Sequence, residues 1–338
     1  MKKARKRCND TVFFMNHPFF ASACGITLKQ YFESPQEMMQ AQIKTFELTG
    51  YKNPLLPDFG VVPVANGLGC QVTWDNIGIP GCEKRKAESL EDLEGLKPAD
   101  PKAENYMQKV LAFLSYMKEH MPEGIQAGPS LLMGPVTVAS MIRGTTEFCT
   151  DIFDDPDRVK ELLDVITETS IAYLNAQEEI LGTLKHLVVS DDISSFLNRN
   201  QFEEFVVPYY DKLLSHFPHA DKILHNDASA AHLAEAIGET DFDYWHVGSC
   251  IDILKAREDS RGKITLIGGL DPIREVAGLD QESLCNTVIK RLEEFGEDTK
   301  LILSAGGFIN YGTPPENIKT VHQVVLEHLR RSKEWETE

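Results

Sequence analysis

The chain has 338 residues, of which 42% are apolar and 25% charged, with a formal charge of −18 at neutral pH. That is enough apolar material to bury a large core. The acidic balance argues against general binding to nucleic acid or to anionic membranes, because a basic face would have to be built against that field, while a cationic partner stays compatible.

From the N-terminus, the basic opening Met1-Lys2-Lys3-Ala4-Arg5-Lys6-Arg7 runs into Cys8-Asn9-Asp10, where a signal peptide needs an apolar stretch. No later run approaches the roughly 20 apolar residues of a membrane span. A cytoplasmic protein with a mobile basic segment over 1–10 is expected. Its seven cysteines (8, 24, 70, 82, 149, 250, 285) are odd in number and lack a CxxC, which argues against a disulfide framework or a structural zinc knuckle.

Eight short apolar segments follow as expected strands: 12–16, 53–59, 124–128, 186–190, 222–225, 243–247, 263–268 and 300–304. Continuous apolar runs between amphipathic helices mark a parallel sheet covered on both faces. Asp155-Pro156 supplies a cap and a first-turn proline ahead of Val159, Leu162, Leu163, Ile166, Tyr173 and Leu174. Gln201–Phe217 and Leu284–Phe295 read as further helices, and Thr313–Glu316 as a capping box opening the last one. Eight strands each followed by helix predict a single-domain α/β protein over 1–338, a (β/α)₈ TIM barrel, with Gly67–Asp100 as an insertion after strand two. A doubly wound open sheet is the rival architecture.

Barrel enzymes keep their chemistry at the C-terminal ends of the strands. Read off there, the sequence gives His17 and Asp58 after the first two segments and Gly134-Pro135 after the third. Asp191-Asp192 follow the fourth, His225 and Asp227 end the fifth, and His246 ends the sixth. Asp271 and Gly306-Gly307 follow the last two. Unpaired acids meeting at one mouth repel and shift one another's pKa values, which a metal or a substrate amine would relieve. Simpler roles stay open beside this one: Asp227 before Ala228-Ser229 has the form of a helix cap, Asp271-Pro272 that of a turn, and His246 beside Trp245 that of an interior histidine.

Five stretches in order carry a resemblance: Pro57–Pro63 continuing to Trp74, Gly134-Pro135-Val136-Thr137, Phe202–Tyr209, Gly269–Pro272 and Thr313–Asn317. Together they resemble the uroporphyrinogen decarboxylase superfamily, which includes the porphyrinogen decarboxylase and a set of cobamide-dependent methyltransferases. For the decarboxylase the resemblance implies arginines after the first strand to bind carboxylates; Met15-Asn16-His17-Pro18-Phe19-Phe20 has none. The Asp of that enzyme is matched by Asp58, but Met141, Asp192 and Gly306-Gly307 stand where it has Tyr, Ser and a Gly-His-Gly step. For the thiol-activating methyltransferases it implies zinc held by His-x-Cys and a second Cys. Here His225 matches, while Asp227 and Gly307 replace the two thiolates.

The chain therefore stands closer to the methyltransferase branch, and to the components that move a methyl group from an ether or amine to a corrinoid protein. The strand-end positions and the resemblance together put zinc on His225, Asp227 and one or both of Asp191 and Asp192, Asp192 foremost, acting as a Lewis acid. They imply catalytic roles for Asp58, Asp191, His225 and His246, and substrate contacts at His17, Asp192, Gly306 and Gly307. Glu204 is a weaker candidate for assistance. Expected partners are a small methoxylated aromatic or methylamine-type donor and a corrinoid-carrying protein. The competing readings are the decarboxylase, a corrinoid:coenzyme M-type methyltransferase, a metal-free enzyme using Asp58 and His225 as acid and base, and a non-catalytic binding protein of the same fold.

Overall fold

The Val/Leu/Ile-rich runs from residue 186 onward form the regular part of the sheet in a computed structural model, which describes residues 12–335 other than 77, 85 and 86. The basic segment expected over 1–10 lies outside the described residues. Eight strands are numbered in chain order. β1 (Gln71–Trp74) and β2 (Pro80–Lys84) make an antiparallel hairpin inside the expected insertion. The others are β3 (Leu132–Met133), β4 (His186–Ser190), β5 (Asp221–Asn226), β6 (Tyr244–Val247), β7 (Thr265–Leu270) and β8 (Leu301–Ala305). β3 to β8 pair in sequence order, all parallel, with helices packed outside.

Three expected strands differ from the prediction. Residues 53–59 make a single bridge, Leu55 to Ala127, because Pro54 and Pro57 remove the N–H groups a ladder needs. Gly124–Gly128 yields only that bridge, and the strand proper falls beyond Pro129 at β3. Residues 12–16 form no ladder, although Asn16 at their end is extended. They are tied instead by Ile309 N–H donating to the Phe14 carbonyl (2.9 Å), by the Ser304 hydroxyl donating to the Val12 carbonyl, and by the Asn53 amide donating to the Phe13 carbonyl (2.9 Å). One backbone and two side-chain donors thus take the place of ladder bonds at this stave of the (β/α)₈ barrel.

Asp155 caps its helix through Arg158 N–H, with Pro156 in the first turn. The last helix starts at Pro315, so the capping box does not form; Thr313 Oγ1 is buried and meets no partner among the described residues. Residues 201–217 are two helices, Arg199–Phe205 and Val207–Ser215, broken ahead of Pro208, where proline cannot donate to a continuing helix. No helix among the described residues is long and apolar enough to cross a membrane.

For the site, the sheet register matters most. In the ladder Ser190 stands beside His225, His225 beside His246, and His246 beside Ile267. Neighbouring residues of parallel strands project to the same face, so both imidazoles enter the barrel side by side.

Candidate metal centre

Strand β5 delivers His225 and, one residue beyond its end, Asp227; Asp192 follows β4 at the start of a short 3₁₀ turn (Asp192–Phe196). One ligand atom from each of Asp192, His225 and Asp227 lies within 4.8 Å of the other two. The Asp227 N–H donates to Asp192 Oδ1 at 3.0 Å, fixing the two acids side by side. His225 Nε2 stands 3.7 Å from Asp227 Oδ2, too far for a hydrogen bond.

Burial, and then the neighbouring Asp227 charge, push the Asp192 carboxyl up to about 7. Asp227 is also raised, chiefly by burial. His225 and His246 are pushed down to about 3 by burial, His246 also by its neighbour, so both rings are neutral. Their Nδ1 atoms are 2.7 Å apart, and His246 Nε2 is 2.7 Å from the Ala305 carbonyl oxygen. A neutral imidazole next to two acids that resist ionisation is a donor set suited to a divalent cation. Its charge would cancel theirs.

Asp191 sits elsewhere. It is fully buried, and its Oδ1 accepts from the backbone and hydroxyl of Thr137 (both 2.7 Å) while Oδ2 accepts from the Tyr210 hydroxyl (3.0 Å). Burial raises it to about 6 against those hydrogen bonds. A Cβ at Gly134 would come within 2.3 Å of this carboxyl, which explains glycine in the Gly134-Pro135 turn. Oδ1 ties β4 to the helix Pro135–Arg143 and Oδ2 ties it to the helix Val207–Ser215, so both oxygens are engaged and the structure does not bring this carboxyl to the metal candidates.

Across the mouth, His17 and Asp58 are both buried and paired with each other. His17 N–H donates to Asp58 Oδ2 at 2.5 Å, and His17 Nδ1 is 3.1 Å from both carboxyl oxygens. Burial pushes Asp58 up, but the His17 charge and hydrogen bonds from His17 and Gly60 outweigh it and hold the carboxyl below its ordinary value. At the end of β8, Gly307 has φ +135, and a Cβ there would lie 3.1 Å from Asp227 Oδ2. A Cβ at Gly306 would come within 2.6 Å of Ser249 N. The Asp227 carboxylate fills the space a side chain at 307 would need.

The family profile described as uroporphyrinogen decarboxylase (URO-D) matches residues 19–328. The chain belongs to the uroporphyrinogen decarboxylase family. It is 23% identical over 291 residues to a methylated-thiol–coenzyme M methyltransferase of Methanosarcina mazei, covering 86% of this chain and 76% of that one. It is 26% identical over 290 residues to a uroporphyrinogen decarboxylase of Shewanella amazonensis, covering 80% and 77%. Among solved structures, a methyltransferase from Methanosarcina mazei superposes with a TM-score of 0.79 at 21% identity over 94% of both chains. A B12-independent methionine synthase from Shewanella sp. W3-18-1 superposes with a TM-score of 0.51 at 11% identity over 90% of both, which is a likeness of fold.

Two aromatic rings lie against the histidines at the mouth. Phe14 stacks on His246 with ring centroids 4.0 Å apart and 17° between planes, and the Phe308 centroid is 4.6 Å from that of His225. Neither aromatic stands out in the sequence; Phe308 adjoins Gly307, while Phe14 lies within the apolar segment 12–16. Glu204 is exposed and paired with Lys160 at 2.6 Å, away from the cluster's hydrogen bonds. Asp271 caps its own turn, accepting from Ile273 N–H (2.9 Å) and Arg274 N–H (2.7 Å), so the turn reading describes it.

Proposed function

We propose that this URO-D family enzyme is a methyltransferase in which Asp192, His225 and Asp227 hold a zinc ion. It would take a methyl group from a small methoxylated aromatic or methylamine-type donor and pass it to a corrinoid-carrying protein. The observation that carries this reading is the convergence of one neutral imidazole and two repelling carboxyls within 4.8 Å. The methyltransferase relative and the 0.79 superposition support methyl transfer as the reaction class.

Two oxygen ligands and one nitrogen ligand make a harder donor set than thiolates, suited to an ether oxygen or an amine nitrogen more than to a thiol. Bound there, zinc would supply Lewis-acid polarisation of the atom that loses the methyl group. That atom keeps its bonding pair, and the acceptor contributes the pair for the new bond. His225 offers its ring edge to the cation, and the Asp227 N–H on Asp192 holds the second carboxylate in place. Phe14 and Phe308 form apolar walls beside the two histidines and exclude water from them. His17 keeps Asp58 ionised at the opposite side, where it can orient a polar group of the donor.

A direct assay uses zinc-loaded protein, reduced cob(I)alamin as a stand-in for the corrinoid protein, and either a methoxybenzoate or trimethylamine. Methylcobalamin should form faster than in the protein-free mixture, and the rate should disappear in His225→Ala. Loss of carbon dioxide from uroporphyrinogen, with no methyl transfer from either donor, would instead establish the decarboxylase reading.

A further inference from the structure

We propose that His246 is a positioning residue: through its bonds to Ala305 and His225 it holds His225 in the one tautomer that can bind a cation. This rests on the metal reading above but makes a separate statement about where two protons sit. Two contacts carry it. His246 Nε2 is 2.7 Å from the Ala305 carbonyl oxygen, which can only accept, so Nε2 bears the proton. Among the described residues the hydrogen-bond partners of this fully buried ring are Ala305, His225 and Gly307, none of them a carboxylate that would hold a second proton on it, so with Nε2 protonated its Nδ1 is bare. The Nδ1 atoms of the two histidines are 2.7 Å apart, a hydrogen-bond distance at which one must donate. His225 Nδ1 is therefore the donor, and its Nε2 is left with a free lone pair.

That lone pair faces the acids. A proton on Nε2 would draw the Asp227 carboxylate into a charge-assisted bond of roughly 2.7–2.9 Å, whereas the separation is 3.7 Å. Metal-binding imidazoles commonly have their second nitrogen fixed in this way by an outer partner, which sets both tautomer and ring orientation. Here the outer partner is a second imidazole whose own direction is set by a backbone carbonyl. The chain Ala305 C=O, His246, His225 passes a fixed polarity from β8 through β6 to β5.

One contact competes. The Gly307 N–H lies 3.3 Å from His246 Nε2 and could donate to it if that nitrogen were bare. The Ala305 oxygen would then face a lone pair at 2.7 Å, and His225 would present N–H to the acids. The shorter contact decides the direction. Phe14, stacked at 4.0 Å, and full burial keep the His246 plane in register with both partners.

The test reads the tautomer itself and, separately, metal affinity. In metal-free wild-type protein labelled with ¹⁵N-histidine, long-range ¹H–¹⁵N spectra should show His225 protonated on Nδ1 and bare on Nε2, with His225→Gln providing the assignment. His246→Gln, whose amide can accept from His225 and donate to Ala305, should keep that tautomer. It should also keep zinc affinity within about threefold, while His246→Leu should mix the tautomers and weaken zinc about 10–100-fold. A proton on His225 Nε2 in the wild-type protein would overturn the proposal, as would unchanged zinc affinity in a folded His246→Leu. If His246→Leu fails to fold, the wild-type spectrum still decides. A correct tautomer in a protein that takes up no zinc would refute the metal reading and leave the hydrogen-bond relay standing.

Discussion

On one side of the barrel mouth a buried aspartate meets a histidine and the two satisfy each other. On the other side two aspartates share a histidine that is already committed elsewhere. His17 supplies Asp58 with both a backbone and a ring hydrogen bond, and the carboxyl is held below its usual range. His225 directs its Nδ1 to His246 and stands 3.7 Å from Asp227, while Asp192 is driven up to about 7. The residue types are the same, although Asp58 is buried while Asp192 is half-buried and Asp227 exposed. The telling difference is whether the histidine is free to answer the acid, and it separates a finished electrostatic pair from a site that calls for a cation.

Removing the shared histidine should have the largest effect. His225→Ala should take zinc content from about one per chain to none, measured by elemental analysis of untagged protein, and should abolish methyl transfer. His17→Ala acts on the finished pair and should leave zinc binding intact while costing about 3 kcal/mol of stability, since it strands a buried carboxylate. The pH dependence follows from the lowered Asp58 value. The pair's contribution is complete above the ordinary carboxylate pKa of about 3.9 and fades as pH falls through the lower folded value. The stability gap between wild type and His17→Ala in urea titrations should therefore be wide at pH 5 and shrink in stronger acid.

A smaller effect is expected at β8. Gly307→Ala places a Cβ 3.1 Å from Asp227 Oδ2 at a backbone conformation foreign to alanine, so about 1–3 kcal/mol of strain is expected, with weakened zinc binding as Asp227 is pushed aside. The mildest change is Asp192→Asn. A carboxyl raised on folding lowers stability as pH climbs from about 3.9 toward 7. Removing its charge should therefore raise the melting temperature of metal-free protein at pH 8 by about 2–4 °C and leave it unchanged near pH 4. With zinc present the sign should reverse.

Much of this contrast was readable before any coordinates. The β4 to β8 runs are uninterrupted and apolar, so their ends, and with them Asp192, His225, Asp227 and His246, fall where periodicity puts them. Residues 53–59 misled because a run apolar enough for a strand carries two prolines that forbid its ladder. Asp191 and Asp192 look equivalent in sequence, yet one step along the backbone turns Asp191 inward to Thr137 and Tyr210, and only the fold supplies those partners. The Gly306-Gly307 step read as two missing side chains. The structure gives the reason: Ser249 and Asp227 occupy the space those side chains would need. The tautomer relay was invisible because its key acceptor is a backbone carbonyl.

The central question is whether the unanswered acids bind a cation through His225. Calorimetric titration of metal-free wild-type, His225→Ala and His17→Ala proteins with zinc at pH 8 addresses this directly. One saturable site per chain in wild type and His17→Ala, absent from His225→Ala, is the predicted result. No saturable binding in wild type, or equal binding in His225→Ala, would contradict it.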